Sequence, residues 1–149
     1  MMAGMAENKV SRSVVVDAPA ARIFAILASP DRHSEIDGSG TVRGSLFGPP
    51  ELVQDARFGM DMKMFGVPYR MTNRVVEYER DRRIAWRHFG AHRWRYELEE
   101  LAGGGTRVTE TFDYSRGFSL FYVLAGMPAR NARGIEATLV RLKDLAEGE

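Results

Sequence analysis

The sequence contains no cysteine. Disulfides, iron–sulfur clusters, Cys-ligated zinc and thiol nucleophiles are therefore excluded as sources of stability or chemistry. It also has no uninterrupted apolar run approaching the roughly 18 residues that a membrane-spanning helix needs. Residues 1–10 lack an apolar segment behind a basic flank. We therefore expect no transmembrane segment, no secretory signal and a cytoplasmic location.

An excess of charge of one sign is missing as well, because 21 Lys and Arg are balanced by 20 Asp and Glu. This balance argues against a strongly basic nucleic-acid-binding protein. The arginines at 80–83 and at 93 and 95 have acidic neighbours, so we interpret them as a solvated outer face of a sheet. Nucleophile-elbow, phosphate-loop and zinc-protease motifs are lacking too. We expect no nucleic-acid partner, no metal site and no cofactor.

The 149 residues are 44% hydrophobic, enough for one domain with a sizeable core. We predict a disordered tail over residues 1–9 and a single domain over residues 10–149. The β-branched run ending at Val16 predicts a first strand over 11–17. Asp17 is the predicted N-cap of a helix that ends near Ala28. A second short helix should continue through Glu35, and His33 should lie on its solvated side.

Strict alternation begins at Phe58 and predicts two strands joined around residues 65–68. Pairing Met64 with Tyr69 places all the apolar side chains on one face, whereas a one-residue slip would mix them with charges. The predicted inner face carries Phe58, Met60, Met62, Met64, Tyr69, Met71, Asn73 and Val75.

A second hairpin follows the same logic. Pairing His88 with His92 around a three-residue loop sets Trp86 opposite Trp94 and Ile84 opposite Tyr96. A two-residue turn would instead set Trp86 against an arginine. The favoured pairing places both histidines on the inner face.

The last predicted strand, over residues 106–114, directs Val108, Glu110, Phe112 and Tyr114 to one face. Helical spacing begins after Gly117 and is interrupted at Pro128, which should start a new helix rather than lie inside one. That long helix has a core stripe of Ala132, Ile135, Leu139, Leu142 and Ala146.

Several short segments together resemble the SRPBCC superfamily, the START-like or helix-grip proteins that include polyketide cyclase/dehydrase-like members. The resemblance covers residues 11–147, and its motifs are structural rather than catalytic. They are Asp17-Ala-Pro19 with Ile23-Phe24, Val75-Val-Glu-Tyr78 with Arg83-Ile-Ala-Trp86, His92-Arg-Trp94, Gly105-Thr-Arg-Val108 and Glu136-Ala-Thr-Leu139-Val-Arg-Leu-Lys143.

The resemblance implies an α+β helix-grip fold, with a curved seven-stranded antiparallel sheet around the long C-terminal helix and two short helices. It also implies an internal hydrophobic cavity, which proteins of this kind use for lipids, sterols or polyketides. We expect access to be controlled by residues 118–127 and 36–41. The predicted ligand-binding residues are Met60, Met62, Met64, Tyr69, Met71, Asn73, Trp86, His88, Trp94, Tyr96, Glu110, Phe112, Tyr114, Phe121 and Leu124.

Three functions remain open at this stage. The first is binding of a hydrophobic or amphipathic small molecule. The second is a polyketide cyclase/dehydratase-type enzyme in which Glu110, His88 or His92 transfers protons, since a buried carboxyl or an imidazole can titrate near pH 7. The third is a protein-interaction module with a closed cavity. Sequence reasoning leaves the oligomeric state open between monomer and homodimer.

Overall fold

The computed structural model describes residues 9–87, 92–115 and 127–149. Within them, seven strands form one curved antiparallel sheet in the order β1-β7-β6-β5-β4-β3-β2. This α+β architecture is the predicted one. The strands are β1 (Lys9–Val16), β2 (Val42–Phe47), β3 (Arg57–Met64), β4 (Val67–Glu79), β5 (Arg83–Arg87), β6 (Arg93–Glu100) and β7 (Thr106–Asp113).

Three α-helices accompany the sheet in the described residues: α1 (Ala20–Leu27), α2 (His33–Ile36) and α3 (Met127–Gly148). A 3-10 turn, Pro30–Arg32, directly precedes α2. The prediction that Asp17 caps α1 is wrong. Pro19 is extended at ψ 150° and is itself the N-cap, so the helix begins two residues later than expected. The backbone N–H of Asp17 donates instead to Glu147 Oε2, at 2.7 Å.

The long helix α3 packs against β1, β7 and both short helices. Its stripe at three- and four-residue spacing is buried as predicted, although Ala132 at the start is only partly covered. Pro128 lies in the first turn, where a missing N–H costs no helical hydrogen bond. The core between α1, α3 and the sheet therefore forms at one end of the sheet's concave face.

The hairpin between β3 and β4 forms the predicted inner face, but its register differs from the prediction. Met64 pairs with Val67, and Tyr69 pairs with Met62. A two-residue turn at Phe65 and Gly66 closes the hairpin, with both φ angles positive, at 52° and 78°. The difference is two positions, an even number, so the same side chains stay on the same face.

The hairpin between β5 and β6 has the predicted register, with Trp86 opposite Trp94 and Ile84 opposite Tyr96. Its loop, including His88, lies outside the described residues. His92 immediately precedes β6 and is buried.

A β-bulge in β4 changes which side chains face inward. Val75 pairs with Trp86 but Glu77 pairs with Ala85, so one extra residue separates them. Without the bulge, alternation from Val75 would direct Glu77 to the concave face. With it, Tyr78 packs edge-on against Phe24 of α1, at 5.6 Å between ring centroids.

The bulge sets Glu77 on the outer face beside Arg93 and Arg95, at 2.7 Å and 2.8 Å. Side-chain exposures are only 18% for Glu77 and 14% for Arg95. The interpretation of Arg93 and Arg95 as a solvated face is therefore wrong. Hydrogen bonds from Arg95 and Arg93 hold the pKa of Glu77 at about 2.

Candidate functional site

A cavity of about 660 Å³ lies among the concave face of the sheet, α3, and the residues from α2 to the start of β2. Thioethers and aromatic rings from β3 to β7 form much of its wall on the side of the sheet. The residues of the predicted inner face that line it are Phe58, Met60, Met62, Met64, Tyr69, Met71, Asn73, Trp86, Trp94, Tyr96, Glu110 and Phe112.

Two predicted site residues lie away from the cavity. Tyr114 follows the end of β7 and stacks on Phe112 instead, at 5.8 Å between centroids. His92 also stacks on Phe112, at 5.7 Å, and burial lowers its pKa while Asp113 opposes that change. His88, Phe121 and Leu124 lie outside the described residues.

One end of the cavity is buried and the other is open. At the buried end, Phe58, Phe112 and Glu110 are at most 3% exposed. At the open end, Arg133 and Ser39 are exposed, and Tyr69 is half-buried. The open end is formed largely by the α2–β2 loop, which lies in the segment 36–41 predicted to control access, and by α3, which sequence reasoning did not include in the site.

Glu110 is the buried carboxyl at the closed end. It pairs across the sheet with Tyr96, whose hydroxyl donates a hydrogen bond to the Glu110 carboxyl. Within the described residues, Glu110 Oε1 has no hydrogen-bond partner. Burial raises the Glu110 pKa from 4.5 to about 8, and Asp37 adds to the rise while Tyr96 opposes it. At neutral pH this carboxyl is therefore mostly protonated and can donate a hydrogen bond.

His33 also lines the cavity, contrary to the prediction that it lies on a solvated helix. It is 7% exposed, and its Nε2 lies 2.8 Å from the Leu27 carbonyl oxygen. Its ring stacks on Trp86 at 5.0 Å. Burial lowers the pKa of His33 and favours the neutral imidazole. A single histidine in a four-residue helix has no periodicity that could have shown this orientation.

Both tryptophans of the chain line the cavity. Trp86 is in edge contact with Phe58, and Trp94 packs on Phe112 at 4.5 Å between centroids. The intrinsic tryptophan fluorescence of the protein therefore comes entirely from the cavity wall.

The α2–β2 loop is fixed against α3 at the open end. The backbone N–H of Gly38 donates to Thr138 Oγ1, at 2.8 Å. A Cβ at position 38 would lie 2.3 Å from the Thr138 nitrogen, so only glycine allows this approach. Asp37 accepts hydrogen bonds from Ser39 and from the Val42 N–H, which orders the loop.

Arg130 and Arg133 of α3 complete the open end. The Arg130 guanidinium lies over the Phe65 ring, 4.6 Å from its centroid. Phe65 is 82% exposed at the tip of the β3–β4 hairpin. This contact connects α3 to the hairpin across the opening.

Membrane-spanning helices and metal-binding clusters are both lacking in the part of the chain that the structure describes. No helix there is long and apolar enough to cross a membrane. No three His, Asp or Glu side chains there are grouped so that they could hold a metal ion.

Residues 7–147 match the family described as polyketide cyclase / dehydrase and lipid transport. The chain therefore belongs to this family, in agreement with the SRPBCC resemblance of its sequence. The match covers all seven strands, α1, α2 and all but the last residue of α3, and the family name covers both enzymes and lipid carriers.

Solved structures with the same fold share little sequence with this chain. Protein CV1439 from Chromobacterium violaceum superposes with a TM-score of 0.72 at 18% identity, covering 95% of this chain and 99% of that one. The AHSA1-like protein from Aeromonas hydrophila has a TM-score of 0.70 at 18% identity, covering 94% and 92%. Similarity at this level shows the fold alone.

A much more similar sequence is the Mycobacterium tuberculosis protein Rv0088, an uncharacterized protein. It is 50% identical over 142 residues, which is 92% of this chain. The chain spans only 63% of the length of that relative.

Proposed function

We propose that the protein binds a hydrophobic or amphipathic small molecule, such as a lipid, sterol or polyketide-like compound, in the internal cavity. The observation that carries the proposal is the cavity of about 660 Å³, whose wall combines methionines and aromatic rings with one buried carboxyl. Flexible thioethers adapt to irregular apolar ligands, and a few polar groups orient them. The cytoplasmic location remains a prediction alongside this function.

Glu110 and Asn73 are the proposed orienting groups at the closed end. Both are buried, at 3% and 6% exposure, and both line the cavity. A protonated Glu110 carboxyl would donate to a ligand carbonyl or hydroxyl oxygen, which an apolar wall cannot do. This supports a ligand with an oxygen acceptor at its buried end.

A cyclase/dehydratase-type enzyme is the second candidate, favoured by the raised pKa of Glu110. A buried carboxyl with a pKa of about 8 can act as a general acid near neutral pH. Its neighbour on the cavity wall is Tyr96, whereas His92 stacks behind Phe112. The proposed proton-transfer group is therefore Glu110 without His92.

The closed-cavity interaction module has less support. That function requires filled, dry side-chain packing between sheet and helix. The described residues enclose an open volume there instead.

Native mass spectrometry of the purified protein, followed by denaturing extraction, tests the binding proposal. A co-purifying lipid, sterol or polyketide-like molecule is the expected result. Quenching of Trp86 and Trp94 by the added compound would place it in the cavity, because no other tryptophan contributes. A compound that binds without changing this emission would contradict the proposal.

Glu110→Gln separates the binding protein from the enzyme. The substitution keeps the shape and the donor capacity but removes the transferable proton. Affinity for the extracted compound should change less than about tenfold in either case. If the protein is an enzyme, the wild type should convert the compound and the variant should not, whereas a binding protein should leave it unchanged in both; mass spectrometry follows the conversion. Asn73→Asp serves as a second variant that alters polarity without touching the Glu110–Tyr96 pair.

A further inference from the structure

Two arginines at the open end of the cavity have no carboxylate partner among the described residues. Arg12, Arg74 and Arg95 each lie 2.8 Å from a carboxylate oxygen. Within the described residues, Arg130 and Arg133 form no such pair. In sequence, the segments outside those residues carry a single acidic residue, Glu7.

The spacing of these arginines directs both to the same opening. They are three positions apart on α3, so their side chains share one helix face. That face lines the cavity at its open end. The Phe65 ring beneath Arg130, at 4.6 Å, limits the positions of that guanidinium and holds it near the opening.

The acidic residue on the same rim forms no ion pair with either arginine. Asp37 lines the cavity, but its Oδ1 accepts from the N–H and hydroxyl of Ser39, and its Oδ2 accepts from the Val42 N–H. Its carboxylate is thus committed to the loop.

The closed end has the opposite character. Among the described lining residues, Glu110 there is the only carboxyl besides Asp37, and rings and thioethers surround it. An anionic group would lose its hydration at that end and find no cation in the described wall. At the open end, two guanidinium groups offer charge-assisted hydrogen bonds that stay accessible to water.

From this polarity we propose that the ligand is an amphipathic anion, bound with its acidic group between Arg130 and Arg133 and its apolar body directed toward Glu110. The acidic group is a carboxylate, phosphate or sulfonate. Each of these presents two or more anionic oxygens, in a planar or tetrahedral arrangement, that guanidinium groups can bind. This inference rests on the proposed function and deepens it, since it names the chemical class and the orientation of the ligand.

Two dyes with the same ring system test the inference. 1-Anilinonaphthalene-8-sulfonate carries a sulfonate, and N-phenyl-1-naphthylamine is the same skeleton without it. Both are titrated into the wild-type protein and into the Arg130→Gln/Arg133→Gln variant, with dye fluorescence and the emission of Trp86 and Trp94 as readouts. Arg57→Gln/Arg80→Gln is the matched control, because it removes the same charge from two exposed arginines outside the cavity.

The expected result is that the Arg130/Arg133 variant binds the sulfonate dye about tenfold more weakly and the neutral dye within twofold of wild type. The unchanged neutral dye also shows that the cavity is intact. The control variant should bind both dyes as wild type does, and added salt should weaken only the sulfonate dye.

Two outcomes would overturn the inference in different ways. If the variant and the control weaken the sulfonate dye equally, or if both dyes weaken together, the arginines have no specific role and the binding function stands. If wild type binds neither dye and shows no tryptophan quenching, the proposed binding function fails and the inference fails with it.

Discussion

Tyr96 and Glu110 face each other across β6 and β7, and the Tyr96 hydroxyl donates a hydrogen bond to the Glu110 carboxyl. The pair lies at the closed end of the cavity, where Tyr96 is 5% exposed and Glu110 is 3% exposed. One donor does not offset the loss of water around a carboxylate. The protonated acid is therefore the stable form of Glu110 at neutral pH.

This relationship predicts how stability changes with pH. The folded-state pKa of Glu110, about 8, lies above its ordinary value of 4.5. The contribution of Glu110 to the free energy of unfolding is therefore fully present below about pH 4.5 and is lost as the pH rises toward 8. Glu110→Gln should remove this loss, which is on the order of 5 kcal/mol at about 1.4 kcal/mol per pKa unit. Urea unfolding of both proteins at several pH values measures the difference.

Other titrating groups near Glu110 are common to both proteins and cancel in that difference. Asp37 and Tyr96 face Glu110, while Arg12, opposite it on β1, is paired with Glu136. His33 has the opposite sign, because its lowered pKa costs stability as the pH falls below about 6.5. Glu51→Gln, at an exposed carboxyl, is the control. Parallel curves for wild type and Glu110→Gln would contradict the prediction.

Tyr96→Phe should raise the pKa of Glu110 further. The hydroxyl bond lowers that pKa, and phenylalanine removes it while keeping the ring. Carbon-13 NMR of labelled glutamate carboxyls follows the titration directly. Tyr78→Phe, which alters a tyrosine that packs on Phe24 away from the cavity, should leave it unchanged. A lower pKa in Tyr96→Phe would mean that the hydroxyl does not stabilise the ionised form.

His33→Phe should destabilise the fold by about 1–3 kcal/mol. The ring that stacks on Trp86 is kept, but the N–H donor to the Leu27 carbonyl is lost. Chemical denaturation followed by tryptophan emission measures the change. Ser34→Ala, at the next residue of α2, is the control and should stay within about 0.5 kcal/mol of wild type.

Glu77→Gln should cost about 2–4 kcal/mol, because it leaves the partly buried Arg93 and Arg95 without their shared carboxylate. The pKa of Glu77, about 2, lies below its ordinary value, so this stabilisation is present above pH 4.5 and lost in acid. Glu97→Gln breaks the exposed pair with Arg83, 3.3 Å apart, and should cost at most about 0.5 kcal/mol. Equal losses in the two variants would show that burial does not strengthen the Glu77 cluster.

Gly38→Ala should separate the α2–β2 loop from α3. The added Cβ would lie 2.3 Å from the Thr138 nitrogen, a backbone atom that cannot move alone. We expect a loss of about 2 kcal/mol or more and weaker dye binding at the opened rim. Gly44→Ala, where an added Cβ meets nothing within 4 Å, should be nearly neutral. Unchanged stability in Gly38→Ala would mean that the loop is not held by this contact.

The hairpins show what alternation can and cannot fix. For β5 and β6, only the register that pairs Trp86 with Trp94 was acceptable, and the structure shows this register. For β3 and β4 the methionines allow any even shift, since each keeps the same face inward. The observed turn places Phe65 at φ 52°, a conformation that favours Asn or Gly. Residue preference therefore argued against a two-residue turn at Phe65 and Gly66 and favoured the longer loop.

Periodicity by itself determined the strands β3 to β7, the core stripe of α3 and the inner face that lines the cavity, whereas the seven-stranded sheet was implied by the family resemblance. These follow because side chains alternate in strands and recur every three or four residues in helices. Only the tertiary structure decided the bulge that sets Glu77 outside, the burial of His33, and the joining of Arg130, Arg133 and the Gly38 loop into one rim. The residues of the rim are far apart in the chain. Their proximity depends on how α3 packs against the sheet, and a local sequence pattern cannot predict that packing.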